Sequence, residues 1–220
     1  MTRLYLVRHA EAEGNHLRIF HGQTDGKITE RGKKQLELLR ERMAGEPIDV
    51  IWSSPLSRAY DTAVAIRGAR ELPIHTDPGL MEINGGRWEG MHWKDLDGAY
   101  PEESKKWNVS AADVRLPGGE SIGELRERVE RTLGRIIREN VGKNIAVACH
   151  GTPIKIMMTL YSGLPLARMG EIAWYDNTAV SIVDFDGDMA PHVVLAGDSS
   201  HLGEWETITK QRWFRENTMD

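Results

Sequence analysis

The chain is predicted to be an α/β protein in which a mainly parallel sheet carries helices on both faces. Three observations support this. Short β-branched runs alternate with stretches whose apolar residues recur at helical spacing. Polar residues able to hold a ligand follow three of those runs, where open α/β sheets place their sites. The last two runs are joined only by DFDGDMAPH, which reads as an antiparallel hairpin at one end of the sheet.

The first run, Leu4–Val7, stops at Arg8 and His9 within LVRHAEAEGN. Leu36, Leu39 and Met43 then follow a helical period before the second run, Val50–Trp52. SSPLSRA reads as the opening of a helix, with Ser54 as N-cap, Pro55 as the first helical residue and Arg58 in the opening turn. The third run, Pro73–Thr76, leads into LMEINGGRWEG, which contains Glu82. From about residue 84 to 119 the periodicity weakens, and Trp88, Trp93 and Trp107 stand among glycines and mixed charges. A structured insertion or lid fits this composition, and so does a long surface loop with a few anchoring tryptophans. PGGES closes the region. Ser121 and Glu124 form a capping box for a helix with Ile122, Leu125, Val129, Leu133 and Ile136 on one face. The fourth run, Ile145–Ala148, ends at Cys149 and His150 in ACHGTP, where Thr152 reads as a cap before Pro153. Val180–Phe185 and His192–Leu195 complete the set. No repeat, low-complexity segment or linker divides residues 1–220, so a single domain is expected.

Composition narrows the function classes. The chain has 220 residues, 40% of them hydrophobic and 28% charged, which is enough to bury a core and ordinary for a globular protein. A net charge of −5 without a block of like charges argues against nucleic acid as partner. It leaves room for a small phosphate held by locally gathered cations. Cys149 is the only cysteine, so no internal disulfide can form and a reducing cytoplasm fits. MTRLYLVRHA is charged too early for a signal peptide, and no apolar run approaches the roughly 20 residues of a membrane span. A cytoplasmic protein that does not enter a membrane is expected.

Arg8, His9, Arg58 and His150 all fall at one edge of the predicted sheet. Taken singly, each has a plainer reading: a hydrogen-bonded histidine at a strand end, or an arginine paired on the surface. Gathered without acids they would repel one another, and a bound dianion would relieve that repulsion. Helix N-termini at the same edge add free N–H groups suited to phosphate. An alkoxide leaves poorly unless protonated, and Glu82, beside glycines that allow close backbone approach, is the candidate acid. Cys149 and His150 are adjacent and should face opposite ways, so a buried, inert thiol is expected. No HExxH, HxH or CxxC spacing occurs, so neither a metal nor another cofactor is expected.

Seven motifs in order, LVRHAEAEGN, HGQTD, ITERGKKQ, SSPLSRAYDTA, LMEINGGRWEG, PGGES and ACHGTP, resemble those of the histidine phosphatase superfamily, also called phosphoglycerate mutase-like. The resemblance runs from Leu6 to about Phe185. It implies a three-layer α/β/α sandwich and a metal-free phosphohistidine mechanism. His9 would be the nucleophile, its ring oriented by a backbone hydrogen bond. Arg8, Arg58 and His150 would hold the phosphoryl oxygens, Glu82 would donate the proton, and Asn15, Gly22 and the backbone at Gly151 would line the phosphate pocket. The chain departs from the family pattern in three places. Ala10 and Ala12 stand in RHAEA where RHGET is usual, and His21 and Asp61 replace glutamines. His21 is nearest the expected pocket, and the missing contact falls either to its own ring or to Gln23.

The segment of about 84–117 is shorter than the insertion of cofactor-dependent phosphoglycerate mutases. It is similar to that of short broad-specificity phosphatases and of phosphatases acting on sugar or nucleoside phosphates. A phosphomonoester hydrolase acting on a small phosphorylated metabolite is therefore expected. A phosphoglycerate mutase is the second reading, and a non-catalytic phosphate-binding protein on the same fold is the third. The presence of both His9 and Glu82 counts against that third reading. Trp88, Met91, Trp93 and Trp107 suggest a partly apolar rim over the phosphate. Arg87, Lys94, Lys105, Lys106 and Arg115 would either meet a second negative group or be solvated surface charge. The tryptophans of GEWETITKQRWF fit either a contact surface, as in a homodimer, or core packing.

Overall fold

A computed structural model describes residues 1–206. Six strands form one sheet: β1 (Thr2–Arg8), β2 (Val50–Ser53), β3 (Ile74–Thr76), β4 (Asn144–Cys149), β5 (Val180–Phe185) and β6 (Pro191–Asp198). Their spatial order is β3-β2-β4-β1-β5-β6. β1, β2, β3 and β4 are mutually parallel, and β5 alone runs against both of its neighbours. The predicted hairpin is thus β5–β6, at one edge of a mostly parallel sheet.

Alternate residues of a strand face opposite sides, and here each side has its own core. Leu4, Leu6, Ile145 and Val147 pack with α6 (Ile122–Glu139) and α7 (Gly151–Tyr161). Tyr5, Val7, Ala146 and Ala148 pack with α2 (Glu30–Met43) and α3 (Ser57–Arg67). Three layers result, and central strands buried on both faces explain why their sequences are nearly uninterrupted apolar runs. A capping box of Ser121 and Glu124 starts α6, as its sequence predicts. Cys149 lies in the first of the two cores, where burial pushes its thiol up to about 12. Among the described residues no helix is long and apolar enough to cross a membrane.

Two helix starts differ from expectation. Helix α3 begins at Ser57, not Pro55, and Ser54 is not its cap. The carboxylate of Asp25 instead accepts from the Ser57 N–H at 3.0 and 3.1 Å, while the Ser54 hydroxyl is turned toward His150. Helix α7 begins at Gly151 with His150 in the cap position, so Thr152 and Pro153 lie inside its first turn.

Residues 84–119 include two short helices, α4 (Trp93–Ala99) and α5 (Pro101–Ser110). They are held by an aromatic cluster in which Phe20 meets Trp88, Trp93 and Trp107 at centroid distances of 5.5, 4.9 and 5.9 Å. Trp88 is fully buried at its centre. Helix α1 (Glu13–Leu17) supplies the chain that leads into Phe20. Most of GEWETITKQRWF lies outside the described residues. Within them the Trp205 carbonyl accepts from Gln35 Nε2 at 2.8 Å, tying this segment to α2.

Candidate active site

Because β1, β2 and β4 are parallel neighbours, the residues that follow them emerge at one edge. The ladder continues past the strands: the His9 N–H donates to the Cys149 carbonyl at 2.9 Å and the Ser54 N–H to Ala148 at 3.0 Å. A cavity of about 250 Å³ opens there. Arg8, His9, Arg58 and Glu82 line it, together with Asn15, Gly22 and Gly151. His150 does not reach the wall but lies behind it, with its ring 5.2 Å from that of His9.

The geometry defines the state of His9. Its Nδ1 lies 2.7 Å from the Ala10 carbonyl, which can only accept, so Nδ1 carries the proton and Nε2 the lone pair. Burial, then Arg58 and Arg8, hold its pKa well below the usual histidine value, and the ring is neutral. The backbone beneath is fixed by Asn177, whose Nδ2 donates to the His9 carbonyl at 2.8 Å. His9 therefore presents an unprotonated nitrogen beside two guanidinium groups.

Each arginine is partly engaged and partly open. Arg58, almost wholly buried, donates to the Gly22 and Thr24 carbonyls at 2.7 and 2.9 Å. Arg8 donates through Nη1 to the Tyr175 carbonyl at 2.5 Å, while its Nε is buried with no partner among the described residues. Burial lowers the pKa of both, yet arginine stays charged at neutral pH. His150 is also held neutral by burial and by Arg58, and its Nε2 pairs with the Ser54 hydroxyl at 2.8 Å. Its Nδ1 is a second buried atom without a partner among the described residues. Buried polar groups are rarely left unpaired, and Arg8 Nε, on a residue that lines the cavity, marks where a ligand oxygen would bond.

Opposite the cations, the Glu82 carboxylate accepts from the Ile83 N–H at 2.8 Å and the Thr152 N–H at 3.3 Å. The second bond reaches the first turn of α7. Asn15, on the cavity wall, accepts the Ala12 N–H through its Oδ1 at 3.1 Å, which leaves its amide NH2 free of that bond. Gly22 has φ +54°, and a Cβ there would fall 2.3 Å from Glu89 Oε1, so only glycine fits. Among the described residues no group of three or more histidine, cysteine or acidic side chains could hold a metal ion.

Of the two side chains that could take the missing contact, the structure brings His21 to the cavity. Its ring lines the cavity, whereas the Gln23 amide donates to the Glu82 carbonyl at 3.1 Å. The expected rim is half correct. Trp93 and Trp107 line the cavity, but Trp88 is buried behind them and Met91 packs on the core instead. None of Arg87, Lys94, Lys105, Lys106 and Arg115 lines it, and Arg115 pairs with Glu124. The cation at the rim is Arg18, which sequence reasoning passed over, as it did Trp174 and Asn177. Arg18 lies beside the expected pocket residues in HLRIFHG, a signal that could have been used. Trp174 and Asn177 sit in an aperiodic loop before β5 and carried none.

Comparison with known proteins agrees with this geometry. The model for the histidine phosphatase superfamily (branch 1) matches residues 4–198. Phosphoserine phosphatase 1 of Hydrogenobacter thermophilus is 32% identical over 205 residues, covering 93% of this chain and 96% of that protein. A probable phosphoglycerate mutase, GpmB, of Yersinia pestis is 34% identical over 209 residues, covering 92% and 95%. Among solved structures, Bacillus stearothermophilus YhfR superposes with a TM-score of 0.87 at 29% identity, covering 91% of this chain and 99% of that one. The α-ribazole phosphatase from Shigella flexneri gives 0.81 at 26% identity, covering 89% and 96%. The sheet, the cavity at its edge and a family match over nearly the whole chain lead to one conclusion: this chain belongs to the histidine phosphatase superfamily, branch 1.

Proposed function

We propose that the protein is a phosphatase of small phosphorylated metabolites that works through a phosphohistidine on His9. The observation that carries this is the state of His9: neutral, protonated on Nδ1, with Nε2 unprotonated next to Arg8 and Arg58. The phosphoryl group would sit against both arginines, with the free donor at Arg8 Nε completing its shell. His9 Nε2 attacks phosphorus, an N–P bond forms, and the P–O ester bond breaks. Glu82, entering as the acid, gives its proton to the departing oxygen. Water then attacks phosphorus, the N–P bond breaks, and Glu82 recovers a proton from that water as inorganic phosphate leaves. Asn15, the Gly22 turn and the α7 N-terminus at Gly151 would line the phosphate from the remaining sides.

Size supports a small substrate, because about 250 Å³ lies below the roughly 300–1,000 Å³ of pockets for drug-sized ligands. Nucleic acid is a poor fit to this cavity and to a net charge of −5. The helices over residues 93–110 are read as a lid whose aromatic side packs the leaving group. One buried cysteine supports a cytoplasmic setting. Phosphoglycerate mutase is the second reading, favoured by the relatives that bear that name. The short lid supports water over a second sugar acid as acceptor.

The test is hydrolysis of p-nitrophenyl phosphate in excess EDTA, with unmodified protein and His9→Ala compared. Release that survives EDTA and disappears in the variant is expected. Release abolished by EDTA would overturn the mechanism. Exchange of phosphate between mono- and bisphosphoglycerate faster than hydrolysis would favour the mutase.

A further inference from the structure

Glu82 stands on a stretch with almost no regular structure. One 3-10 turn covers Pro78–Leu80, another covers Gly86–Trp88, and nothing repetitive lies between them. Proton transfer needs an acid held in place, so something outside the segment has to hold it.

The holding group comes from α6. Arg128 directs all five of its N–H donors into this region. Nε and Nη2 reach the two oxygens of Glu120 at 2.8 and 2.7 Å. Nη2 also donates to the Glu82 carbonyl at 3.1 Å, and Nη1 donates to the Gly79 and Met81 carbonyls, each at 3.0 Å. Glu120 in turn accepts the Asn84 N–H at 2.8 Å. One ion pair therefore grips the acid's segment at residues 79, 81, 82 and 84. Both side chains are mostly covered, at 17% and 20% exposure, so water competes weakly for these bonds. Neither lines the cavity, and the groups proposed to surround phosphate stand on β1, α1, the Gly22 turn, α3 and α7 instead.

We propose that Arg128 and Glu120 are positioning residues that set the Glu82 carboxyl for proton transfer to the leaving group. This rests on the reading of Glu82 as proton donor. Only arginine has five donors in a rigid planar fork, so lysine at 128 would keep the charge and lose most of the grip. Losing the grip would shift the acid while leaving His9, Arg8 and Arg58 in place. The consequence is selective. An alkyl leaving group needs the proton as the bond breaks, whereas nitrophenolate leaves without it.

The experiment measures kcat/KM for β-glycerophosphate and for p-nitrophenyl phosphate in four proteins: unmodified, Glu82→Gln, Arg128→Lys and Glu120→Gln. kcat/KM reports the phosphoryl transfer from substrate to His9, so the later attack by water does not enter. Glu82→Gln calibrates the method by lowering the alkyl substrate far more than the aryl one. Arg128→Lys and Glu120→Gln are expected to lower the alkyl phosphate about 10- to 100-fold, a displacement effect, with the aryl phosphate changed less than about threefold. Thermal melts of each variant establish that it is folded, and Glu120→Gln, which keeps the shape but turns one of the two accepting oxygens into a donor, serves if Arg128→Lys does not fold. If Glu82→Gln is selective but both clamp variants lower the two substrates equally, or neither, the positioning role is overturned. If Glu82→Gln itself lowers both equally, the assignment of Glu82 as acid fails, and the proposal falls with it.

Discussion

Gly22→Ala would test how the cavity is held open. Gly22 has φ +54°, a conformation that costs a residue with a Cβ about 1–2 kcal/mol. The new Cβ would also lie 2.3 Å from Glu89 Oε1. That carboxylate accepts the N–H groups of Gln23, Thr24 and Gly85 at 2.9, 3.0 and 2.9 Å, and the Thr24 hydroxyl at 2.5 Å. Displacing it would loosen bonds to a charged group worth about 1.5–3 kcal/mol each, part of which water restores at a half-buried site. A total of about 2–5 kcal/mol is therefore expected for the single variant. With Glu89→Ala already made, the clash is gone and only the backbone cost of about 1–2 kcal/mol remains. Urea denaturation of both single variants and the double variant gives the coupling directly. Because the Gly22 and Thr24 carbonyls hold Arg58, KM for p-nitrophenyl phosphate should rise in Gly22→Ala as well. Effects that add to within about 0.5 kcal/mol would refute the steric argument.

Two further outcomes are expected. Burial holds His9 and His150 well below the ordinary value of 6.5, and His21 and His201 below it too. Each would take up a proton near 6.5 once unfolded. Stability is then fully present above about pH 6.5 and is lost as pH falls below it. Carboxylates titrate lower, near about 4, so the urea midpoint should be lower at about pH 5.5 than at 7.5, and equal midpoints would contradict the argument. Cys149, buried and with its thiol pushed up to about 12, should resist iodoacetamide in the folded protein and react fully in urea. Rapid modification with loss of activity would show that the thiol is accessible after all.

The central strands were legible because strands buried on both faces must be apolar throughout, as Leu4–Val7 and Ile145–Ala148 are. The α6 boundary was legible because a capping box is a local bond pattern. The starts of α3 and α7 were not. Ser54 resembles a cap, but its hydroxyl reaches only the Leu56 N–H ahead of the helix and pairs with His150, 96 residues away, while Asp25 takes the capping role from another loop. Local chemistry proposes a cap, and a distant partner can take it.

The sequence by itself determined the α/β class, the order of the motifs and the residue types available for phosphate chemistry. These follow from hydrophobic period and from residues lying within a few positions of a strand end. Only the tertiary structure decided that His9 carries its proton on Nδ1, that His150 stands behind the cavity wall, and that His21 and not Gln23 lines it. It alone brought Arg18, Trp174 and Asn177 to the same cavity and Arg128 to the Glu82 segment. The reason is physical. A protonation state or a side chain's partner depends on which distant groups share its buried volume, and parallel strands bring together residues that the chain keeps far apart.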